Sequence, residues 1–337
     1  MNIKKWLLLC CLMLILLLQI KPVTESVSMT LGKLGGFHSS YTETVWHTET
    51  IPVALPARLE AETSGGFITV SSHDQNEITI HISVKKDGRY LSEGEEVPVE
   101  VNINEDTHSV EIDSRVTGRS RWFRIGPGIT ISYRIYVPRQ TEVHAKTSGG
   151  SVTASDIDHP VSLITSGGPV TVSNVTGDVL ARTSGGPISI SDVIGNVTAR
   201  TTGGGIRVTD ASGKMNLRTS GGPINLTHLS GSIEARTSGG SISADIVSLQ
   251  EHLTLKTSGG SISVTLPSDQ GMDISTSGSY VHNRLDDLTG ILERGSMKGS
   301  VKGGGIPVDI HTSGGTVTLE YGNHVTTDLT PPVRGPF

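Results

Sequence analysis

Thr-Ser-Gly-Gly begins at Thr147, Thr165, Thr183, Thr219 and Thr237, and Thr-Thr-Gly-Gly begins at Thr201, so one tetrapeptide recurs six times at a spacing of 18 residues. A short strict period marks a repeat architecture, in which each unit buries its apolar side only against its neighbours. Beyond Thr237 the register loosens: Thr257 follows after 20 residues and Thr276, as Thr-Ser-Gly-Ser, after 19. A final copy starts at Thr312, behind Lys302-Gly303-Gly304-Gly305, and an isolated earlier copy at Thr63.

Within a unit the apolar residues alternate, which is the period of a strand and not of a helix. Ile188 and Ile190 form a first pair and Val197 and Ala199 a second; Val170 and Val172, then Val179 and Ala181, repeat them one unit earlier. Glycine recurs before the second strand at Gly177, Gly195, Gly213 and Gly231, and Asp156, Asn174, Asp192 and Asp210 stand at the preceding turn. These residues tolerate positive φ or bond their own backbone. Two short strands and two turns per 18 residues predict one coil of a parallel β-solenoid, stacked ~4.8 Å from the next. The motif threonine then closes an inward strand, and Ser-Gly-Gly turns the corner. A nucleophilic role for the motif serines would need a base and an orienting acid at equivalent positions, and none recurs.

Composition fits this architecture. Of 337 residues 41 are glycine, and no Phe, Trp or Tyr occurs between Val137 and Ser279, so the core there is thin and aliphatic. The N-terminal half reads differently. Ile78, Ile80, Ile82 and Val84 alternate, as do Ile129, Ile131, Tyr133, Ile135 and Val137, with charged turns such as Lys85-Lys86-Asp87-Gly88. Longer strands of this kind predict antiparallel hairpins that cap the solenoid or form a small sandwich at its end. The predicted organisation is an N-terminal β region and cap over 27–140, regular coils over 141–278, an inserted loop over 279–300, terminal coils over 301–324 and a tail over 325–337.

Residues 1–26 have the pattern of an export signal: Lys4 and Lys5, an apolar run from Trp6 to Ile20, then Lys21-Pro22. Fifteen helical residues span roughly 22 Å, short of a ~30 Å hydrocarbon core, so cleavage is expected over membrane spanning, with a retained anchor as the alternative. Both cysteines, Cys10 and Cys11, fall in this run, leaving no thiol for a disulfide, metal site or nucleophile in the remainder. That remainder carries 24 basic and 32 acidic side chains, which argues against nucleic acid as a partner. The 12 histidines are dispersed and the acid pairs lack a full ligand set, so neither metal nor cofactor is expected.

Leu59-Glu60-Ala61-Glu62-Thr63-Ser64-Gly65-Gly66-Phe67-Ile68-Thr69-Val70, then Tyr136-Val137-Pro138 running into Val143 to Gly150, resembles the bacterial putative-adhesin family of β-strand repeats, domain of unknown function 4097. Gly299 to Gly305 running into Thr312-Ser313-Gly314-Gly315-Thr316-Val317-Thr318-Leu319 is similar to that family's ending. The resemblance spans about residues 40–320. It implies an exported, envelope-associated or secreted bacterial β-helix-like protein and carries over no catalytic residue.

Two features stand out as candidate binding sites. Arg115, Arg119, Arg121, Trp122, Phe123 and Arg124 interleave guanidinium and aromatic groups in a turn-rich stretch, a pattern suited to sugars, phosphates or proteins, or to plugging the solenoid end. Lys146, Arg182, Arg200, Arg218, Arg236 and Lys256 form an outward basic stripe, with Glu234 alone to offset it. The stripe suits an anionic envelope polymer, or simply keeps a β face solvated and unpaired. A second outward stripe, from Thr153 and Ser155 to Ser243 and Asp245, is rich in hydroxyls. The expected function is non-catalytic adhesion, scaffolding or ligand binding at the cell envelope, with an anionic polymer, a glycan or another envelope protein as partner. A membrane-tethered regulatory protein and a carbohydrate-active β-helix enzyme are the alternatives.

Overall fold

The computed structural model describes residues 44–96, 99–116 and 128–322. Among them every regular element is a strand, and all 25 strands join in one nearly closed, solenoid-like sheet. The export-signal segment, most of the Arg115–Arg124 stretch and the C-terminal tail lie outside the described residues.

Pairing in the repeat region is parallel and advances by one motif period. Val170 stands opposite Ile188 and Ile188 opposite Ile206, while Val179 stands opposite Val197 and Val197 opposite Met215. Each repeated unit therefore supplies one strand to each of two rows. Alternation directs Ile188, Ile190, Val193, Val197 and Ala199 inward, and these merge into one hydrophobic cluster running through the stack. The cluster is built from Val, Ile, Leu, Ala and a few Met; among the described residues Tyr133 is the one fully buried aromatic. A long apolar stack needs no large side chain when every unit is flanked on both sides.

The motif corner has two parts. In the regular units the buried motif threonine donates its hydroxyl to a glycine carbonyl of the neighbouring unit: Thr165 to Gly150 at 2.8 Å, Thr183 to Gly168 and Thr201 to Gly186 at 2.9 Å, Thr219 to Gly204 at 2.7 Å. The second glycine then passes against the neighbouring backbone so closely that a Cβ on Gly186 would lie 2.1 Å from the Gly168 oxygen. A Cβ on the first glycine, Gly185, would stand 3.4 Å from its nearest atom, an ordinary contact. The opposite turn uses left-handed backbone at Asp156, Asn174, Asp192 and Asp210, with φ from 51° to 63°, and His228 continues the row at 54°.

Chain order and stacking order part company at both ends. The early copy at Thr63 is not isolated: Ala57–Thr63 pairs with Thr141–Thr147, Ile68–His73 pairs with Val152–Ile157, and Thr147 donates to the Gly66 oxygen. The chain then runs outward through antiparallel strands and returns as Ile129–Pro138 on the outer side of Ile68–His73. At the other end Ile306–Thr312 sits between Ile242–Thr257 and Met272–Ser277, so Thr312 stacks directly on Thr257.

Thr276 departs from its expected place. It stands opposite Ile310 and not Thr312, because only Gly278 and Ser279 turn a corner that the neighbouring unit turns with Thr312 to Gly315. Its buried hydroxyl accordingly finds no partner. The segment 279–300, expected as an inserted loop, carries the strands Tyr280–Asn283 and Thr289–Leu292 and most of Ser296–Val301. The last two pair antiparallel with each other, and Ser296–Val301 also pairs with Met272–Ser277. Its sparse apolar pattern hid these strands. The 20-residue spacing before Thr257 is absorbed by irregularities between Leu226 and Ile233.

The corner makes the two motif glycines unequal. Gly186→Ala should cost about 3 kcal/mol or more, because backbone and not a side chain must give way. Gly185→Ala should fall within about 0.5 kcal/mol of the parent. Thr201→Val should cost about 1–3 kcal/mol by stranding a buried carbonyl. Denaturant melts of the three variants check the ranking, and equal losses for the two glycines would contradict it.

Candidate functional site

On the second strand of each unit the residue before the motif threonine points outward, since its neighbours on both sides point in. The parallel register then lines these residues up. Arg182 stands opposite Arg200, Arg200 opposite Arg218, Arg218 opposite Arg236, and Arg236 opposite Lys256. Five cations thus succeed one another at the ~4.8 Å strand spacing, where each like pair costs a little under ~1 kcal/mol in water. Lys146, expected in the same stripe, is separated from them by Ile164 and is tied to Glu62 at 2.8 Å. At the far end His311 follows Lys256 and is hydrogen-bonded to Ser277.

Glu234 lies one step inside the row. Its Oε1 accepts from Arg218 Nη2 at 2.8 Å and from Arg236 Nε at 2.7 Å. Burial alone would raise its pKa, but the bond from Arg218 and the charge of Arg236 outweigh burial and hold it below the usual carboxylate value. The contact therefore stabilises the fold at neutral pH and is lost as pH falls through the lowered folded value. Among the described residues Arg182, Arg200 and Lys256 have no carboxylate partner. The centre of the row also holds two unsatisfied polar atoms, Arg218 Nε and Asn216 Oδ1, both buried.

The row borders an open groove of about 780 Å³. Lining it as well are the motif's second residues, Ser166, Ser184, Thr202, Ser220, Ser238 and Ser258, which supply one hydroxyl per unit. These residues are exposed, and their hydroxyls make no hydrogen bond among the described residues. Among the described residues no carboxylate and no Phe, Tyr or Trp lines the groove, which begins at Ile164 and ends at Ser313 and at His311, whose imidazole is its one aromatic ring. The hydroxyls went unnoticed in the sequence because the motif explains them fully as corner residues.

Other expected sites fare differently. Arg119, Arg121, Trp122, Phe123 and Arg124 lie outside the described residues, as does the side chain of Arg115. The hydroxyl stripe of the other row is in register from Thr153 and Ser155 through Ser189 and Ser191, then is broken by Arg207 and Asn225. His228, which the sequence did not single out, sits 3.4 Å from Asp210 and 3.6 Å from Asp245. No group of three or more His, Cys, Asp or Glu able to hold a metal occurs among the described residues. Nor, among them, is any helix long and apolar enough to cross a membrane.

A family model described as Toastrack DUF4097 matches residues 56–320. The chain belongs to the Toastrack DUF4097 family. Two solved structures are similar to this Toastrack chain. One is a putative cell adhesion protein from Clostridium sporogenes, 11% identical with a TM-score of 0.20, covering 82% of this chain and 99% of its own. The other is a putative adhesin from Bacteroides fragilis, 13% identical with a TM-score of 0.38, covering 82% of this chain and 96% of its own. No curated protein matches the Toastrack chain.

Glu234→Gln removes the carboxylate that offsets Arg218 and Arg236 beside the groove of this Toastrack protein. Binding of a soluble polyanion such as dextran sulfate should strengthen about threefold at low salt. Affinity measured by calorimetry checks this, and weaker binding would mean that Glu234 orients its arginines more than it neutralises them.

Proposed function

We propose that this chain is an exported, non-catalytic, adhesin-like protein that binds an anionic polymer of the bacterial envelope along its basic groove. The observation that carries the reading is the in-register succession of Arg182, Arg200, Arg218, Arg236 and Lys256, offset within the row by Glu234 alone. An overall acidic chain that gathers its cations in one line directs polyanions to that line and repels them elsewhere. Each 18-residue unit acts as one solenoid coil, so lengthening the stack lengthens the binding line without changing its chemistry. The antiparallel strands of the N-terminal region act as a cap that keeps one end of the stack from pairing with other chains. The charged pattern of residues 1–26 supports export.

The groove's chemistry favours binding over turnover. Sugar hydrolysis calls for a pair of carboxyl groups across the scissile bond, one of them able to donate a proton. Glu234 is the carboxylate beside the row, and its lowered pKa with two guanidinium partners makes it a poor acid.

Affinity for purified lipopolysaccharide and teichoic acid, measured across a salt series, tests the reading. Arg182→Gln with Arg200→Gln should weaken binding about tenfold at low salt and flatten the salt dependence. Unchanged, salt-independent binding by the double variant would remove the groove from consideration.

A further inference from the structure

We propose that the groove's ligand is a linear acidic polysaccharide, laid lengthwise along the stack with one acidic sugar against each coil. This rests on the reading of the groove as a polyanion site and names the polymer class.

Three features of the groove point to an acidic sugar chain over other polyanions. The cations are spaced by the strand separation, ~4.8 Å, a distance close to that by which one pyranose advances an extended chain. A polymer of acidic sugars thus lays about one ring against each coil from Arg182 to Lys256, with the carboxylates that face the stack meeting the cation row. Four of the five cations are arginine, whose planar fork binds a carboxylate through two parallel hydrogen bonds. Alongside them Ser184, Thr202 and Ser220 present exposed hydroxyls at the same repeat, with no bond among the described residues, so ring hydroxyls find donors and acceptors in step with the charges.

A lining with no Phe, Tyr or Trp among the described residues, and with the His311 imidazole at one end only, works against single-stranded nucleic acid, whose bases are held by successive stacking platforms. It also works against neutral glycans, which lack the charge to make up for missing ring platforms. Polyphosphate offers the hydroxyl row acceptors only, whereas sugar hydroxyls match it with both donors and acceptors. Glu234 already engages Arg218 Nη2 and Arg236 Nε, so among the described residues Arg182, Arg200 and Lys256 are the cations that meet a ligand without first giving up a carboxylate.

Oligogalacturonates of two to eight sugars, maltoheptaose and inorganic polyphosphate are the probes, with binding followed by calorimetry on the full chain. Affinity should climb with each sugar to five and then level, maltoheptaose should not bind, and polyphosphate should bind more weakly at equal charge. A triple variant, Ser184→Ala with Thr202→Val and Ser220→Ala, should lose about tenfold for the pentamer and markedly less for polyphosphate, which can only accept from these hydroxyls. Affinity that stops rising at two sugars, or equal binding of polyphosphate with no effect of the triple variant, would overturn the polysaccharide assignment and leave the anionic groove standing. If Arg182→Gln with Arg200→Gln changes nothing for any probe, the groove itself and this proposal both fall.

Discussion

From Thr147 to Thr257, and again at Thr312, a unit is locked to its neighbour where a threonine hydroxyl meets a glycine carbonyl and the second glycine slides beneath it. The bond is short, the site is buried, and the glycine Cα lies where no side chain fits. A slip of one residue would turn the core face outward, and a slip of two would force a larger residue into the glycine's place. The corner therefore fixes the register from which the rest follows. Once register is fixed, a residue type repeated at one position of the unit becomes a straight row, whether buried or exposed. The valine and isoleucine rows become the core, and the arginine row becomes the groove.

The terminal units show how the same lock works without sequence proximity. Thr147 bonds to Gly66, and Thr312 to Gly260, across long stretches of intervening chain. In both cases the unit nearest a chain end is placed inside the stack, and the excursion between copies returns to cover it with parallel-paired strands, Ile129–Pro138 on Ile68–His73 and Met272–Ser277 on Ile306–Thr312, which pair antiparallel with further strands. Where the corner is shortened, at Gly278 and Ser279, the lock is lost and Thr276 is left buried without a bond.

Much of this was legible from spacing alone, because an 18-residue period with alternating apolar residues leaves few arrangements that bury them. The inward set, the left-handed turn residues from Asp156 to Asp210 and the outward stripe all follow from that period and the strand alternation. What the period does not contain is the order of stacking at the ends. Thr276 looked like the next copy because it lies 19 residues on, yet Thr312 takes that place, a choice made by contacts among strands far apart in the chain. Thr289–Leu292 was equally hidden, since all four of its residues are exposed and it carries no inward pattern. In the groove, the cations were legible as a stripe. The pairing of Glu234 with two of them, and the hydroxyl row beside them, needed the third dimension.

The groove is a charged choice on a scaffold that does not require charge. The outward face of the other row is filled from Thr153 to Ser191 largely by serine and threonine, and its strands pair in the same register. The same filling at positions 182, 200, 218, 236 and 256 would spare the repulsion between stacked cations, a fraction of a kcal/mol to about 1 kcal/mol per adjacent pair. One glutamate relieves the centre of the row and leaves Arg182, Arg200 and Lys256 uncompensated. A row that opposes folding when empty would become favourable once a polyanion lay along it, and on the proposal made above such a ligand would stabilise the stack by RT ln(1 + L/Kd), where L is the free ligand concentration, rising with that concentration relative to Kd.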